Sequence, residues 1–226
     1  MRMTPYTLAL FLLAATVGLG QAQEHGKPHA DHLEKHFEAE ESARRFDDPA
    51  RDAWQMPDQV IAALHLKQGQ TVADIGAGTG YFTVRLAKSD ASPRVYAVDI
   101  EPSMVKYLQE RAAKEGLNNI IPVQASPDEP NLPEPVDLVL IVNTYHHIGD
   151  RETYFRRLAT SVKPGGQVAI IDFKKDSPEG PPREFRFPPD RFITEMGRAG
   201  YKLTVRHRFL PRQEFLIFEI GGPPSG

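Results

Sequence analysis

Short continuous apolar runs alternate with amphipathic stretches through the middle of the chain. The runs are rich in Val, Ile and Leu and cover residues 71–75, 94–100, 119–125, 136–142 and 167–173. Helical spacing of apolar residues separates them, over residues 81–88, 102–115 and 151–162. Strands that are apolar on both faces and are separated by helices are typical of a parallel sheet covered by helices on both sides. The pattern therefore predicts an α/β fold.

The pattern changes after the fifth apolar run. A helical stretch over residues 190–199 is followed by KLTVRHRFL and EFLIFEI, which a Pro-Arg-Gln turn joins. This pair predicts an antiparallel hairpin at the edge of the sheet. In open sheets of this kind, ligands bind beyond the carboxyl ends of the strands, at the point where the strand order reverses. We therefore look for functional residues directly after each apolar run.

The amino-terminal residues have the three-part pattern of a secretory signal. Arg2 precedes an uninterrupted apolar stretch from Thr7 to Gly20, and Gly20 and Ala22 supply the small residues of a cleavage site. The stretch is short for a membrane span, which needs about 20 apolar residues. The pattern predicts a signal peptide over residues 1–22, cleavage after Ala22 and an exported, periplasmic protein without a membrane span. An uncleaved anchor or a wrongly assigned start codon is the alternative.

The remaining chain divides into three parts. Residues 23–57 predict a polar N-terminal segment with a charged helix over 28–46, residues 58–220 hold the α/β domain, whose first helix spans 58–65, and residues 221–226 predict a frayed tail. Four histidines in the polar segment have nearly helical spacing: His25, His29, His32 and His36. Such a group suits Zn²⁺ or Cu²⁺, but a solvated helix face is the more common outcome, so we predict no metal site.

Composition narrows the classes of partner. The 226 residues are 40% hydrophobic and 25% charged with a formal net charge of −3, which is typical of one globular domain and gives no reason to expect a nucleic-acid or anionic membrane partner. The chain contains no cysteine, so disulfides, thiolate nucleophiles and Cys-based zinc sites are excluded. Nothing in the sequence indicates an oligomeric state.

The stretch VADIGAGTGYF, residues 72–82, places three glycines at alternate positions directly after the first strand. Glycines allow main chain to approach a ligand closely. The nicotinamide and flavin fingerprint G-x-G-x-x-G needs a third glycine where Tyr81 stands, which disfavours an oxidoreductase. Asp74 precedes the loop, and its carboxylate suits a ligand with a cationic amino group.

A second carboxylate, Asp99, ends the second predicted strand. A carboxylate at this position can accept hydrogen bonds from both ribose hydroxyls of a bound nucleotide. The alternative is a helix cap or turn residue before Pro102. Together with the glycine loop, Asp99 favours a nucleoside ligand.

Four segments in order resemble the successive motifs of the class I S-adenosylmethionine-dependent methyltransferases: VADIGAGTGYFTVRLA, VYAVDIEPSMV, VDLVLIVNTYHHI and VKPGGQVAIIDF. The likeness covers residues 58–220. It implies a Rossmann-like, seven-stranded, mostly parallel sheet with helices on both faces and an antiparallel C-terminal strand. It also implies S-adenosyl-L-methionine as cofactor and transfer of its methyl group to a small-molecule acceptor by in-line displacement.

The resemblance also implies which residues bind the cofactor. Asp74 and the glycine loop would hold the methionine moiety, Asp99 the ribose, and the residue after it the adenine face. The two residues after the third strand would contact the adenine edge, although family members often have an acid there. The full set of implied cofactor-binding residues is Asp74, Gly76, Ala77, Gly78, Gly80, Tyr81, Asp99, Ile100, Ala125, Ser126 and Asn143.

Candidate chemistry lies after the fourth strand. A methyl-transfer site needs mainly alignment, and an acceptor that must lose a proton needs a base. His146 and His147 are the candidate bases, with capping of the following helix or hydrogen bonding to buried main chain as the alternative. Tyr81 and Trp54 are candidates to shield the sulfonium by a cation–π contact, and Tyr81 has helix packing as its alternative.

Two further expectations follow. The long proline-rich stretch over residues 174–192 predicts either a lid over the acceptor or a plain surface loop. The rival function is an exported nucleoside-binding protein that keeps the fold without turnover, because the cofactor is made in the cytoplasm.

Overall fold

The structure is a computed structural model that describes residues 39–221. The predicted signal peptide, the four N-terminal histidines and residues 222–226 lie outside the described residues. Within the described part of the chain, no helix has the length and apolar character needed to cross a membrane.

The centre of the molecule is a seven-stranded sheet. Its strands are β1 (Thr71–Ile75), β2 (Arg94–Asp99), β3 (Ile120–Gln124), β4 (Val136–Val142), β5 (Val162–Phe173), β6 (Tyr201–His207) and β7 (Gln213–Ile220). They lie in the order β3-β2-β1-β4-β5-β7-β6, and β7 runs antiparallel to both of its neighbours while the pairings from β3 to β5 are parallel. The predicted fold class is confirmed.

The predicted antiparallel hairpin at the edge of the sheet is confirmed. β7 lies between β5 and β6, so β6 is the edge strand at this end of the sheet and β3 is the edge strand at the other end. The burial of the two strands explains why β7 is the inner one. The run from Phe215 to Phe218 is buried on both faces, which suits an interior strand, whereas Tyr201 is the only buried residue of β6.

Helices cover both faces of the sheet. They are α1 (Ala39–Phe46), α2 (Asp52–Gln55), α3 (Pro57–Ala63), α4 (Tyr81–Ala87), α5 (Pro102–Glu115), α6 (Arg151–Leu158) and α7 (Pro189–Arg198). Short 3₁₀ turns lie at Pro49–Arg51, Tyr145–His147, Ala159–Ser161 and Arg183–Phe185. One core cluster joins the sheet to α6 and α7, for example through Phe155 and Phe192, and the other joins it to α3, α4 and α5, for example through Val60 and Leu108.

Within the described residues, two boundaries differ from the sequence expectation by more than three residues. α6 ends at Leu158 instead of residue 162, and β5 begins at Val162 instead of residue 167. Val162 pairs with Val136 before a register irregularity, so the Pro-Gly-Gly stretch between the predicted helix and the predicted strand lies inside the strand. A bulge of this kind leaves no periodic signal in the sequence.

The strand order reverses at β1, which has β2 on one side and β4 on the other. The chain leaves β1 toward β2 and later returns to form β4, so the loops after these two strands diverge and open a crevice. This places the site at the carboxyl ends of β1, β2 and β4.

Candidate active site

A cavity of about 1630 Å³ occupies this crevice. Twelve of the thirteen residues predicted for the site line it: Asp74, Gly76, Ala77, Gly78, Tyr81, Asp99, Ile100, Ala125, Ser126, Asn143, His146 and His147. Gly80 does not line the cavity; it precedes α4 in the left-handed conformation, and a Cβ there would lie 2.9 Å from Leu108. The fold therefore brings together residues from four separate segments of the chain.

The glycine loop is drawn tightly over the ends of β2 and β4. The main-chain N–H groups of Gly76 and Ala77 both donate to the carbonyl of Val98, at 2.8 and 3.0 Å. Gly76 has a φ of +73°, and a Cβ on it would lie 2.1 Å from Oγ1 of Thr144. Only glycine fits at this close approach, because both its conformation and its contact exclude a side chain.

Asp99 is held by main chain at the mouth of the loop. Its Oδ2 accepts from the N–H of Gly78 at 2.8 Å, and its Oδ1 accepts from the N–H of Glu101 at 3.0 Å. Burial raises the pKa of Asp99, whose exposed fraction is 7%. Each carboxylate oxygen keeps a further lone pair, so the group can accept from two adjacent ribose hydroxyls. The carboxylate can thus accept hydrogen bonds from a sugar, and its role at the ribose stays a prediction.

Asp74 is a deeply buried acid that Thr83 holds through its side chain and its main chain. Its exposed fraction is 3%, and Oδ2 accepts from the hydroxyl of Thr83 at 2.6 Å. Burial raises the pKa of Asp74 from 3.8 to about 6, and the charge of Asp99 adds to the rise. A cationic amino group beside Asp74 would offset the lost hydration. The contact of Asp74 with the methionine moiety of the cofactor stays a prediction.

The part of the cavity wall that is expected to contact the adenine includes an exposed apolar side chain. Ile100 is 47% exposed although it follows a buried strand, which leaves an apolar surface for a flat base. The N–H of Ala125 donates to the carbonyl of Asp99 at 2.8 Å, and Ser126 closes a turn onto Glu129. Asp128 lines the cavity beside this turn and was missed by the sequence analysis. It lies two residues beyond Ser126, one of the two positions where family members often have an acid. An acid this close to those positions was the signal that could have identified Asp128.

Asn143 lies in the turn after β4, and its side chain is hydrogen-bonded to strand β7. Its φ is +55°, a conformation that Asn tolerates better than most residues. Its side-chain oxygen accepts from Nε2 of Gln213 at 2.6 Å, and Gln213 is fully buried on β7. The side chain of Asn143 is therefore engaged by the sheet, and its role at the cofactor stays a prediction.

The ring of Tyr81 already has two cationic neighbours. The guanidinium carbons of Arg51 and Arg85 lie 4.1 and 4.0 Å from its centroid, and its hydroxyl donates to Asp52. These contacts attach the N-terminal segment to α4, so a contact with the sulfonium stays a prediction. Trp54 lines the cavity elsewhere, with its ring 5.7 Å from that of Phe173.

A second set of contacts fastens the N-terminal segment to the glycine loop. Arg111 donates through Nη1 to the carbonyl of Thr79 at 2.7 Å and to both oxygens of Asp47, at 3.0 and 3.1 Å. The hydroxyl of Thr79 donates to Asp47 as well, at 3.0 Å. Phe46 packs over Gly78, where a Cβ would lie 3.4 Å from its ring. Residues 39–57 therefore cover the loop that is expected to hold the cofactor.

His146 forms a buried pair with Asp172, the penultimate residue of β5. Its exposed fraction is 3%, and its Nδ1 lies 2.9 Å from both carboxylate oxygens. The N–H of Asp172's successor Phe173 also donates to Oδ1, and the main-chain N–H of His146 donates to Oδ2. The rings of His146 and His147 lie 4.2 Å apart. Asp150 caps helix α6 by accepting from the N–H of Thr153. The imidazole of His146 is paired with Asp172 and not with this helix end.

Comparison with known proteins agrees with this geometry. Residues 72–166 match the family model described as a methyltransferase domain. A crystal structure of a SAM-dependent methyltransferase from Aquifex aeolicus superposes with a TM-score of 0.75 and 27% identity, covering 82% of this chain and all of that one.

Curated relatives are similar over part of their length. A ubiquinone/menaquinone biosynthesis C-methyltransferase of Pseudoalteromonas translucida is 27% identical over 155 residues, which are 67% of this chain and 62% of the relative. A malonyl-[acyl-carrier protein] O-methyltransferase of Acetivibrio thermocellus is 27% identical over 185 residues, which are 81% of this chain and 60% of the relative. The chain therefore spans about 60% of the length of these two relatives. Residues 72–166 therefore match a methyltransferase domain, and the fold described above is similar to that of a SAM-dependent methyltransferase.

Proposed function

We propose that this protein transfers the methyl group of S-adenosyl-L-methionine to a small-molecule acceptor. The observation that carries the proposal is the convergence of Asp74, the glycine loop and Asp99 on one cavity. Small-molecule sites commonly measure about 300–1,000 Å³, so a cavity of about 1630 Å³ has room for a cofactor and an acceptor together.

The protein's part in the reaction is to bind and orient. The cofactor supplies a methyl group that its positive sulfur has already activated. Asp74 would hold the ammonium group, the loop from Gly76 to Gly80 would pack along the methionine moiety, and Asp99 would grip the ribose. Alignment of an acceptor behind the methyl carbon, for in-line displacement, can supply about 7–11 kcal/mol of the barrier. The base for an acceptor that must lose a proton is proposed at the turn that carries His146 and His147.

We further propose that the protein works outside the cytoplasm. The support is the signal-like pattern of residues 1–22, with cleavage after Ala22. Amino-terminal sequencing of the protein recovered from the periplasmic fraction would give Gln23 as the first residue. An intact amino terminus in the cytoplasmic fraction would reject the proposal.

Titration calorimetry of the purified protein with S-adenosylmethionine tests the function. Asp99→Ala should weaken binding by at least about tenfold, because it removes an acceptor whose hydrogen bonds each contribute about 1.5–3 kcal/mol. The matched control is Asp90→Ala, which removes an exposed carboxylate outside the cavity lining. No affinity at millimolar cofactor, or equal affinity in the Asp99 variant, would reject the proposal. Binding without methyl transfer to any acceptor would favour the nucleoside-binding rival.

A further inference from the structure

Aromatic and proline residues line the end of the cavity away from Asp74 and Asp99. The strand order places them there, because β5 is two strands from β1 on the side opposite β2. β7 runs antiparallel to β5, so Phe173 at the end of β5 pairs with Gln213 at the start of β7. Neighbouring strands lie about 4.8 Å apart, which separates the ends of β1 and β5 by about 10 Å. This end of the cavity is therefore available to a second ligand beside the cofactor.

Three separate segments of the chain build this surface. Trp54 comes from α2, Phe173 from the end of β5, and the others from the stretch after β5 and the turn before β7. The rings of Trp54 and Phe173 have centroids 5.7 Å apart and planes tilted by 36°. We call the surface the aromatic wall, and its members in the cavity lining are Trp54, Phe173, Gly180, Pro181, Pro182 and Pro211.

Phe173 is held against main chain. Gly180 has a φ of +120°, and a Cβ on it would lie 2.6 Å from Cγ of the Phe173 ring. Phe173 is only 8% exposed, so its ring is already ordered in the ligand-free protein. A surface that is ordered beforehand binds a ligand without the entropic cost of ordering its side chains.

The charges beside the aromatic wall are already engaged within the protein. The guanidinium carbon of Arg212 lies 5.4 Å from the centre of the Trp54 ring, and its Nη1 lies 2.7 Å from Oε2 of Glu179. Arg51, which also lines the cavity, donates through Nη2 to Oε1 of Gln55 at 2.7 Å. A charged ligand would therefore have to compete with these contacts for a partner.

Resting on the proposed function, we infer that the aromatic wall binds the methyl acceptor and that this acceptor carries an uncharged, planar aromatic ring. Aromatic side chains pack favourably against a planar ring, in stacked or edge-to-face geometry, beyond the gain from buried area. A carboxylate, phosphate or ammonium group at the wall would lose its hydration against apolar side chains. A saturated acceptor of the same size would gain the buried area alone.

The fluorescence of Trp54 can report on this wall, because Trp54 is the single tryptophan of the chain. The neutral probe 4-nitroanisole has a planar ring that quenches tryptophan on contact, and it should quench Trp54 saturably with saturating S-adenosylmethionine present. At pH 7 the anion 4-nitrobenzoate and the cation 4-nitrobenzylamine should each bind at least about fivefold more weakly. Methoxycyclohexane, which is neutral but not planar, should compete at least about fivefold less well than anisole does.

Substitutions in the wall test its location. Phe173→Leu and Gly180→Ala should each weaken binding of 4-nitroanisole about fivefold, the scale of one aromatic contact, with cofactor affinity unchanged by calorimetry. The matched control is Phe209→Leu, which alters a partly buried aromatic residue between β6 and β7 outside the cavity lining. Retained cofactor affinity and thermal unfolding show that each variant is folded.

The failure of this inference is distinguishable from the failure of the proposed function. Wild-type protein that binds no S-adenosylmethionine contradicts the function itself. Cofactor binding without saturable quenching overturns the inference alone. Competition between 4-nitroanisole and S-adenosylmethionine also overturns it, because the ring would then occupy the place of the adenine. A preference for either charged probe, equal competition by methoxycyclohexane, or equal binding in the Phe173 and Phe209 variants would overturn it as well.

Discussion

Replacing Asp74 with asparagine should stabilise the ligand-free protein while it destroys cofactor binding. Asp74 is a buried carboxylate whose one side-chain partner is the neutral hydroxyl of Thr83. Burial raises its pKa from 3.8 to about 6, so the folded protein holds this proton more tightly than the unfolded chain does. Asparagine keeps the shape and an oxygen for Thr83 but has no charge to desolvate.

The size of the effect follows from the pKa difference. One pKa unit corresponds to about 1.4 kcal/mol, so ionised Asp74 costs about 3 kcal/mol of folding free energy above pH 6. The folded state binds more protons than the unfolded state between about pH 4 and pH 6, and stability therefore falls as the pH rises through this window. Weakening the hydrogen bond from Thr83 returns about 1 kcal/mol. Asp74→Asn should thus gain about 2 kcal/mol at pH 8.

Urea unfolding of the ligand-free protein at pH 8 and pH 4.5 measures this gain. The variant should exceed wild type at pH 8, and the difference should shrink toward zero at pH 4.5, where wild-type Asp74 is protonated. Asp90→Asn, an exposed acid, should show no such difference. A variant less stable than wild type at pH 8, or a gain that does not depend on pH, would refute the reasoning that burial of this charge serves the ligand.

Three further predictions concern the ligand and the N-terminal segment of residues 39–57. Wild-type affinity for S-adenosylmethionine should fall below pH 6, by up to about tenfold per pH unit. The reason is that the ligand ammonium needs the ionised form of Asp74, which faces Thr83 and Asp99. Calorimetry across pH 4.5–8 measures the change in affinity. Gly76→Ala should abolish binding, because its methyl group would lie 2.1 Å from the side chain of Thr144. Arg111→Met should weaken binding about tenfold and expose residues 39–57 to limited proteolysis, because it removes the bonds to Asp47 and to the carbonyl of Thr79.

Each of the three predictions has an outcome that would contradict it, and each of the two substitutions has a matched control. Affinity that is flat from pH 4.5 to pH 8 would remove Asp74 from the ligand contact. Gly69→Ala shares a left-handed φ of +81° but meets nothing within 4 Å, so it should leave binding intact, and equal loss in both variants would point to backbone strain alone. Arg156→Met removes an exposed ion pair with Glu152 on α6, and equal proteolysis in both arginine variants would contradict a specific contact between Arg111 and residues 39–57.

Most of the strands and the cofactor end of the site could be predicted from the chain because their signals are local. Continuous apolar runs are what strands buried on both faces require, and α5 begins and ends at the predicted residues. The glycine loop and Asp99 follow directly on β1 and β2, where parallel strands bring their carboxyl ends to one edge. A functional feature that follows directly on one strand can be predicted from the residues next to that strand in the sequence.

The remaining features depend on contacts between distant residues, and only the tertiary structure decided them. Asp172 meets His146 because β5 pairs beside β4, and Asp47 meets Thr79 because Arg111 on α5 reaches both. The insertion of β7 between β5 and β6 is likewise a choice among pairings that one apolar run permits. Periodicity along a chain reports which side of an element is buried. It carries no record of the partner that covers that side, because partner choice is made by packing and hydrogen bonding across the whole fold.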